Sequence, residues 1–290
     1  AQQDLGGALL QPLRVPRRGA ANAVLYAWSG LYPQHCSSAL YPPFDAYVSA
    51  LRGTGLDRER VIYLYRLHIE EALAQTNIAL ASTALNAARR WDYANPYLDR
   101  LAAQLCQVEH PERLGRVQRL NTRAARTYER RYGRPFIEAL FANVLVDMAR
   151  QRSTAAIQAC TRVLQLVQQD AFVPLVVRTN TAPDAAAPRA EWQRQRLFWE
   201  AQCHSYLALL LLSTGDYNNA VGWLSRNLDP RFDDVRRAAS YERLARMYSA
   251  SGDITRALRH FETLAALATS TSTRVHWLLQ AAQVHVTAGD

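Results

Sequence analysis

Ser213-Thr214-Gly215-Asp216-Tyr217-Asn218-Asn219-Ala220 and Ala250-Ser251-Gly252-Asp253-Ile254-Thr255-Arg256-Ala257 are one turn written twice, and Thr287-Ala288-Gly289-Asp290 begins it a third time. Gly215, Gly252 and Gly289 stand 37 residues apart. Each Gly-Asp follows an apolar segment of helical period, at 206–212, 241–248 and 275–286. The spacing predicts a glycine that closes one helix in the left-handed region and an aspartate that caps the next. Ala220 and Ala257, five residues beyond their glycines, suit two helices in close approach, and Leu224 and Phe261 four residues later fill the groove between hairpins.

These features predict an all-α protein, an α-solenoid of tetratricopeptide-like hairpins whose period exceeds the usual one of roughly 34 residues. The composition agrees. Of 290 residues 49% are apolar, glycine and proline number 12 each, and alanine, leucine, glutamine and arginine dominate. That length holds two ordinary domains or one elongated repeat array. The longest purely apolar run, 206–212, is far short of the roughly 20 residues of a membrane helix, and the start lacks a charged-then-apolar signal, so a soluble protein is expected. Cys36, Cys106, Cys160 and Cys203 lie far apart with no C-x-x-C pair, and read as buried thiols in a reducing compartment.

Outward from the repeats, residues 173–190 hold Pro174, Pro183 and Pro188 and read as a linker between an irregular helical half, 23–172, and the regular repeats at 191–290. Residues 1–22 read as a flexible arm. Within the irregular half, Pro42-Pro43 and Gly53-Thr54-Gly55 break short helices. Residues 58–90 give one or two helices, with Val61, Leu64, Tyr65, His68 and Ile69 on one face. Asn95-Pro96, His110-Pro111 and Arg134-Pro135 open three more, the last running through Arg150 and open to continuation over 153–169. The chain starts with alanine and ends inside a repeat turn, which reads as a fragment of a longer protein.

The basic residues are all arginine, 34 of them with no lysine, against 25 acidic residues. Between Arg113 and Arg134 there are eight arginines and one acid, Glu129, whereas 191–290 holds eleven arginines and ten acids. Arg116, Arg119, Arg123, Arg126 and Arg130 are spaced 3, 4, 3 and 4, which aligns them along one helix beside an apolar stripe of Val117, Leu120, Ala124 and Tyr128. Such a row is either a solvated face or a docking face for an acidic protein segment or a polyanion such as nucleic acid or inositol phosphate. The few nearby aromatics, Tyr128 and Tyr132, make a poor stacking platform for bases.

Signs of catalysis are absent at the level of motifs: there is no phosphate loop, dinucleotide fingerprint, H-E-x-x-H or nucleophile elbow. His35-Cys36 and Cys203-His204 have no further ligand at helical spacing and read as ordinary residues, so no metal or cofactor is expected. Glu70-Glu71 has no companion group in sequence, and Asp233-Asp234 reads as favouring the N-terminus of the helix that begins there. The expectation is a protein without enzymatic activity.

Val235-Arg236-Arg237, Leu244, Tyr248, Ser251-Gly252-Asp253-Ile254-Thr255-Arg256-Ala257-Leu258, Phe261, Thr269-Ser270 and the apolar helix at 275–286 resemble the helical-repeat region of the family of COP9 signalosome subunit 1 and its paralogue, non-ATPase subunit 7 of the 26S proteasome lid. Tyr26-Ala27-Trp28-Ser29-Gly30-Leu31 and the helices from Arg66 to Leu101 echo it more weakly. Three features depart from the family: residues 32–58 intervene after the first element, the region 107–190 is longer, and Leu264-Ala265-Ala266-Leu267-Ala268 stands where the family has Arg-Ala-Arg-Asp-Tyr. The resemblance implies a scaffold subunit of a multisubunit complex, in nucleus and cytoplasm, with a PCI domain beyond residue 290 and other protein subunits as partners. The alternatives are a free-standing tetratricopeptide adaptor for a short peptide and a polyanion-binding solenoid that uses the arginine row.

Overall fold

The computed structural model describes residues 41–50, 56–169 and 186–288. The arm at 1–22, the Tyr26–Leu31 and His35-Cys36 elements, the Gly53-Thr54-Gly55 turn, the linker at 173–185 and Gly289-Asp290 lie outside them. Among the described residues every regular element is a helix: α1 Tyr41–Ala50, α2 Arg58–Ala74, α3 Ile78–Arg89, α4 Pro96–Glu109, α5 Leu114–Tyr132, α6 Ile137–Ala149, α7 Ser153–Gln168, α8 Ala186–Ser213, α9 Tyr217–Arg226, α10 Asp234–Ala250, α11 Ile254–Leu267 and α12 Thr271–Ala288. Within each unit successive helices pair as hairpins, α2 with α3, α4 with α5 and α10 with α11, and the chain is an α-solenoid of tetratricopeptide-like hairpins. None of the described helices is long and apolar enough to cross a membrane.

The Gly-Asp turns take the form their spacing predicts. Gly215 and Gly252 have φ of 82° and 81°, and the Asp216 and Asp253 carboxylates accept from Asn219 N and Arg256 N at 3.3 and 3.1 Å. Asp216 N and Asp253 N donate back to the carbonyls of Leu211 and Tyr248, the long bond of a Schellman turn. Two other hairpins carry the same turn without glycine. Thr76 and Gln151 sit at φ 55° and 58°, and Asn77 N and Arg152 N donate to Ala72 O and Asp147 O at 2.8 and 2.9 Å. Because a side chain in that region costs about 1 kcal/mol that glycine avoids, Gln151→Gly is expected to stabilise the protein by about 0.5 to 1 kcal/mol in denaturant titration. A neutral or negative result would mean that the Gln151 side chain makes up that cost.

The break at Gln151 separates α6 from α7, where the sequence also allowed one continuous helix. Pro42 and Pro43 open α1 rather than ending a helix, since the first turn needs no N–H from them. Asn95 caps α4 through Tyr97 N at 3.1 Å, and Asp233 caps α10 through Arg236 N at 2.8 Å.

The described chain forms two compact units, the first holding its residues up to Val146 together with 186–189 and the second holding 147–169 and 190–288. α7 belongs with the repeats that follow it: Cys160 Sγ lies 3.6 Å from the Cys203 carbonyl of α8, with both cysteines buried. In the first unit Phe44, Val61, Leu64, Tyr65, Ile69, Ala84, Leu98 and Leu101 form the main core. In the second, Ala220, Leu224, Leu244, Ala257, Phe261 and Leu264 do. Ala220 and Ala257 are fully buried, as close helix approach requires.

His68 lies in the first core with its ring stacked on Phe44 at 5.0 Å and edge-on to Tyr41. Burial pushes its pKa down to about 3. The folded state therefore favours the neutral ring, and the associated stability is complete above the unfolded pKa of roughly 6.5 and lost as pH falls toward 3. Unfolding free energy measured from pH 7 to 4 should drop by up to about 1.4 kcal/mol per pH unit, and His68→Gln should flatten that slope. An unchanged slope in the variant would assign the acid sensitivity elsewhere.

Candidate interaction surfaces

Two polar surfaces are built on the first unit. The sequence-visible one is the row on α5, a helix whose apolar side buries Val117, Ala124 and Tyr128 against its neighbours. Arg116, Arg119, Arg123, Arg126 and Arg130 are all exposed along the opposite side. The structure nonetheless divides them. Arg123 is committed to Asp99 of α4: its Nε reaches Oδ2 at 2.6 Å and a terminal nitrogen binds Oδ1, with Asp99 almost wholly buried and Arg89 3.6 Å from the same Oδ1. Arg123 is thus a structural clamp of the α4–α5 hairpin. Arg130 folds over its own helix, 3.4 Å from the Arg126 carbonyl and 3.5 Å from Thr127 Oγ. Gln118, Arg119, Thr122, Arg123, Arg126 and Arg130 line a depression of about 470 Å³.

The second surface was not singled out from the sequence. It lies where the first helices of successive hairpins, α2, α4 and α6, come together. Arg66 of α2 binds Glu70 one turn on at 2.6 Å, approaches Glu138 of α6 at 3.5 Å, and lies 4.9 Å over the ring of Tyr97 of α4. Burial pulls the Arg66 guanidinium down, but Glu138 and Glu70 outweigh it and hold it above its ordinary range. Arg100 of α4 faces the same carboxylates, yet burial and Arg66 together push it down. Its Nε is buried and meets no acceptor. Arg66 and Arg100 are 34 residues apart, one tetratricopeptide period, and that interval was the available signal. It was hidden by an arginine-rich background.

Among the described residues the remaining sequence candidates lie apart from one another. Glu70 turns to Arg66 while Glu71 accepts from Gln75 at 3.0 Å. Cys203 faces Cys160, and the neighbouring His204 points elsewhere, its Nδ1 2.8 Å from Asn227 Oδ1. The hydrogen bond of its own thiol to Cys160, and burial, push the Cys203 thiol up, which makes it unreactive. No group of three potential metal ligands occurs among the described residues. Asn121 of α5 is fully buried and neither amide atom has a hydrogen-bond partner. Asn121→Leu should therefore stabilise the first unit by about 1 to 3 kcal/mol, the cost of an unsatisfied buried amide, read as a higher denaturant midpoint. A loss of stability would show that the amide is satisfied by bound water.

No family model and no curated protein matches the chain. Solved structures do. The pilF protein of Pseudomonas aeruginosa aligns with a TM-score of 0.52 at 12% identity, over 80% of this chain and 90% of that one. The apo form of the quorum sensor NprR from B. thuringiensis aligns with a TM-score of 0.54 at 12% identity, over 99% of this chain and 72% of that one. Both likenesses are of fold, the helical-hairpin solenoid.

Proposed function

We propose that the chain is a non-catalytic adaptor of the tetratricopeptide type, holding a segment of a partner protein on the face made by α2, α4 and α6. The observation that carries this reading is Arg100, a half-buried arginine whose Nε is buried and meets no acceptor, beside Arg66, Glu70, Glu138 and Tyr97 from successive first helices. A solenoid presents its first helices as one continuous surface. Charged side chains of both signs, half-shielded from solvent, would there orient a peptide backbone or terminus more strongly than exposed ones.

A peptide-display selection on the purified protein tests it. The expected result is a recurrent peptide class whose affinity falls on the order of tenfold in Arg100→Gln and in Glu138→Gln, with the helical spectrum unchanged. Selected peptides indifferent to both substitutions would overturn the reading.

A second reading, a scaffold subunit of the signalosome and proteasome-lid type acting in nucleus and cytoplasm, is supported by the run from Val235 to Phe261. Several of its residues also have hairpin roles, Gly252 as the left-handed residue, Asp253 as a cap, and Ala257 and Phe261 as core. Co-fractionation with a high-mass assembly that carries PCI-domain subunits is the expected outcome under this reading, and migration as a free protein in the native extract would count against it.

A further inference from the structure

The arginine row on α5 carries more charge than the fold consumes. Elsewhere in the described chain some exposed arginines find acids close by, Arg131 taking both Asp92 and Glu59 at 2.6 Å and Arg246 taking Glu242 at 2.8 Å, and the half-buried Arg236 and Arg237 pair with Asp233 and Asp234. Arg226, Arg243, Arg259 and Arg274 are exposed without an ion pair among the described residues, but they are scattered over four helices, whereas those of α5 share one face. Arg116, Arg119, Arg126 and Arg130 form no ion pair among the described residues, although Glu129 and Glu112 are within a turn of some of them. Three of these four, with Gln118 and Thr122, line the depression on α5, and no acid lines it.

We propose that this face docks an acidic segment of a partner protein, whose carboxylates are taken by Arg119, Arg126 and Arg130. At 1.5 Å per residue the row extends about 21 Å from Arg116 to Arg130, and with Arg123 committed to Asp99 the remaining arginines stand about 4.5, 10.5 and 6 Å apart along the axis. Side chains on one face of a helical or extended peptide repeat at about 5 to 7 Å, so acids one or two repeats apart meet cations. The row's own member shows the contact: Arg123 grips the Asp99 carboxylate through two nitrogens. A single-stranded nucleic acid finds less here. Tyr128 is buried in a stack with Tyr97 and Phe136, and no aromatic ring lines the depression on which a base could lie. The site is separate from the face of α2, α4 and α6 and does not depend on it.

The test is fluorescence anisotropy with a labelled peptide of alternating glutamate and aspartate, its glutamine and asparagine counterpart, and an oligothymidylate. The double variant Arg119→Glu with Arg126→Glu is compared with a control of equal charge change, Arg246→Glu with Arg256→Glu on α10 and α11. We expect the acidic peptide alone to bind, the α5 variant to lose on the order of tenfold or more in affinity, and the control to change it less than about twofold. Binding should also weaken as salt is raised. Equal losses in both double variants would reduce the effect to net charge and overturn the proposal, as would no binding by the acidic peptide. Tighter binding of the oligothymidylate would overturn it in favour of nucleic acid. Arg100→Gln leaves this binding unchanged, which separates its failure from that of the first-helix face.

Discussion

Phe261→Ala is expected to cost about 3 to 5 kcal/mol, among the largest effects of any single truncation in the second unit. The ring is 2% exposed, lies in the core with Leu244, Ala257 and Leu264, and stacks on Trp277 of α12 with centroids 6.3 Å apart. It therefore joins α10, α11 and α12, and its loss leaves a cavity that three helices must share. Leu279→Ala on α12, where the leucine is 63% exposed, should change stability by less than about 0.5 kcal/mol. Urea unfolding monitored by tryptophan fluorescence distinguishes the two, because the second unit carries Trp223 and Trp277 near this core. A loss below about 1 kcal/mol for Phe261→Ala would show that the groove between hairpins collapses freely.

Arg123→Ala should cost about 2 kcal/mol while Arg119→Ala, four residues away on the same exposed face, should cost less than about 0.5 kcal/mol. The difference lies in Asp99. Its side chain is 4% exposed, and removing Arg123 leaves a buried carboxylate with Arg89 at 3.6 Å as its remaining cation. Cutting one partner from a buried pair costs about 3 to 5 kcal/mol, and the figure is reduced here because Arg123 itself is half exposed and Arg89 stays. Denaturant midpoints of the two variants at unchanged slope are the measurement. Equal stabilities would mean that Asp99 is satisfied without Arg123, and the row would again count as five equivalent docking residues.

Much of the fold was legible because the hairpin turn has strict chemistry. Gly215-Asp216 and Gly252-Asp253 name both the residue that tolerates positive φ and the cap that follows it, so two turns disclose the repeat. The same turn at Thr76-Asn77 and Gln151-Arg152 stayed hidden because its left-handed residue is not glycine. The Schellman bond and the packing of the flanking helices hold it there, and neither leaves a mark at the position itself. That is why the first half reads as irregular although it is built from the same hairpin.

The surfaces divide in the same way. The row from Arg116 to Arg130 is visible because its residues share one helix, where 3.6 residues per turn converts spacing directly into position. Asp99, which withdraws Arg123 from the row, lies 24 residues earlier on the other helix of the hairpin, and spacing within α5 says nothing of it. Arg66, Arg100 and Glu138 meet only because three first helices stack, so their contact depends on how the hairpins pack.

By itself the sequence determined the helical class, the 37-residue hairpin with its glycine, cap and alanine positions, and the one-helix arginine row, since each depends on backbone geometry that a few neighbouring residues dictate. Only the tertiary structure decided which arginines are spent on the fold, which stay exposed without an ion pair among the described residues, and where the first helices bring opposite charges together. Those outcomes depend on burial and on distances between residues far apart in the chain, and burial is what turns a solvated charge into either a clamp or a binding group.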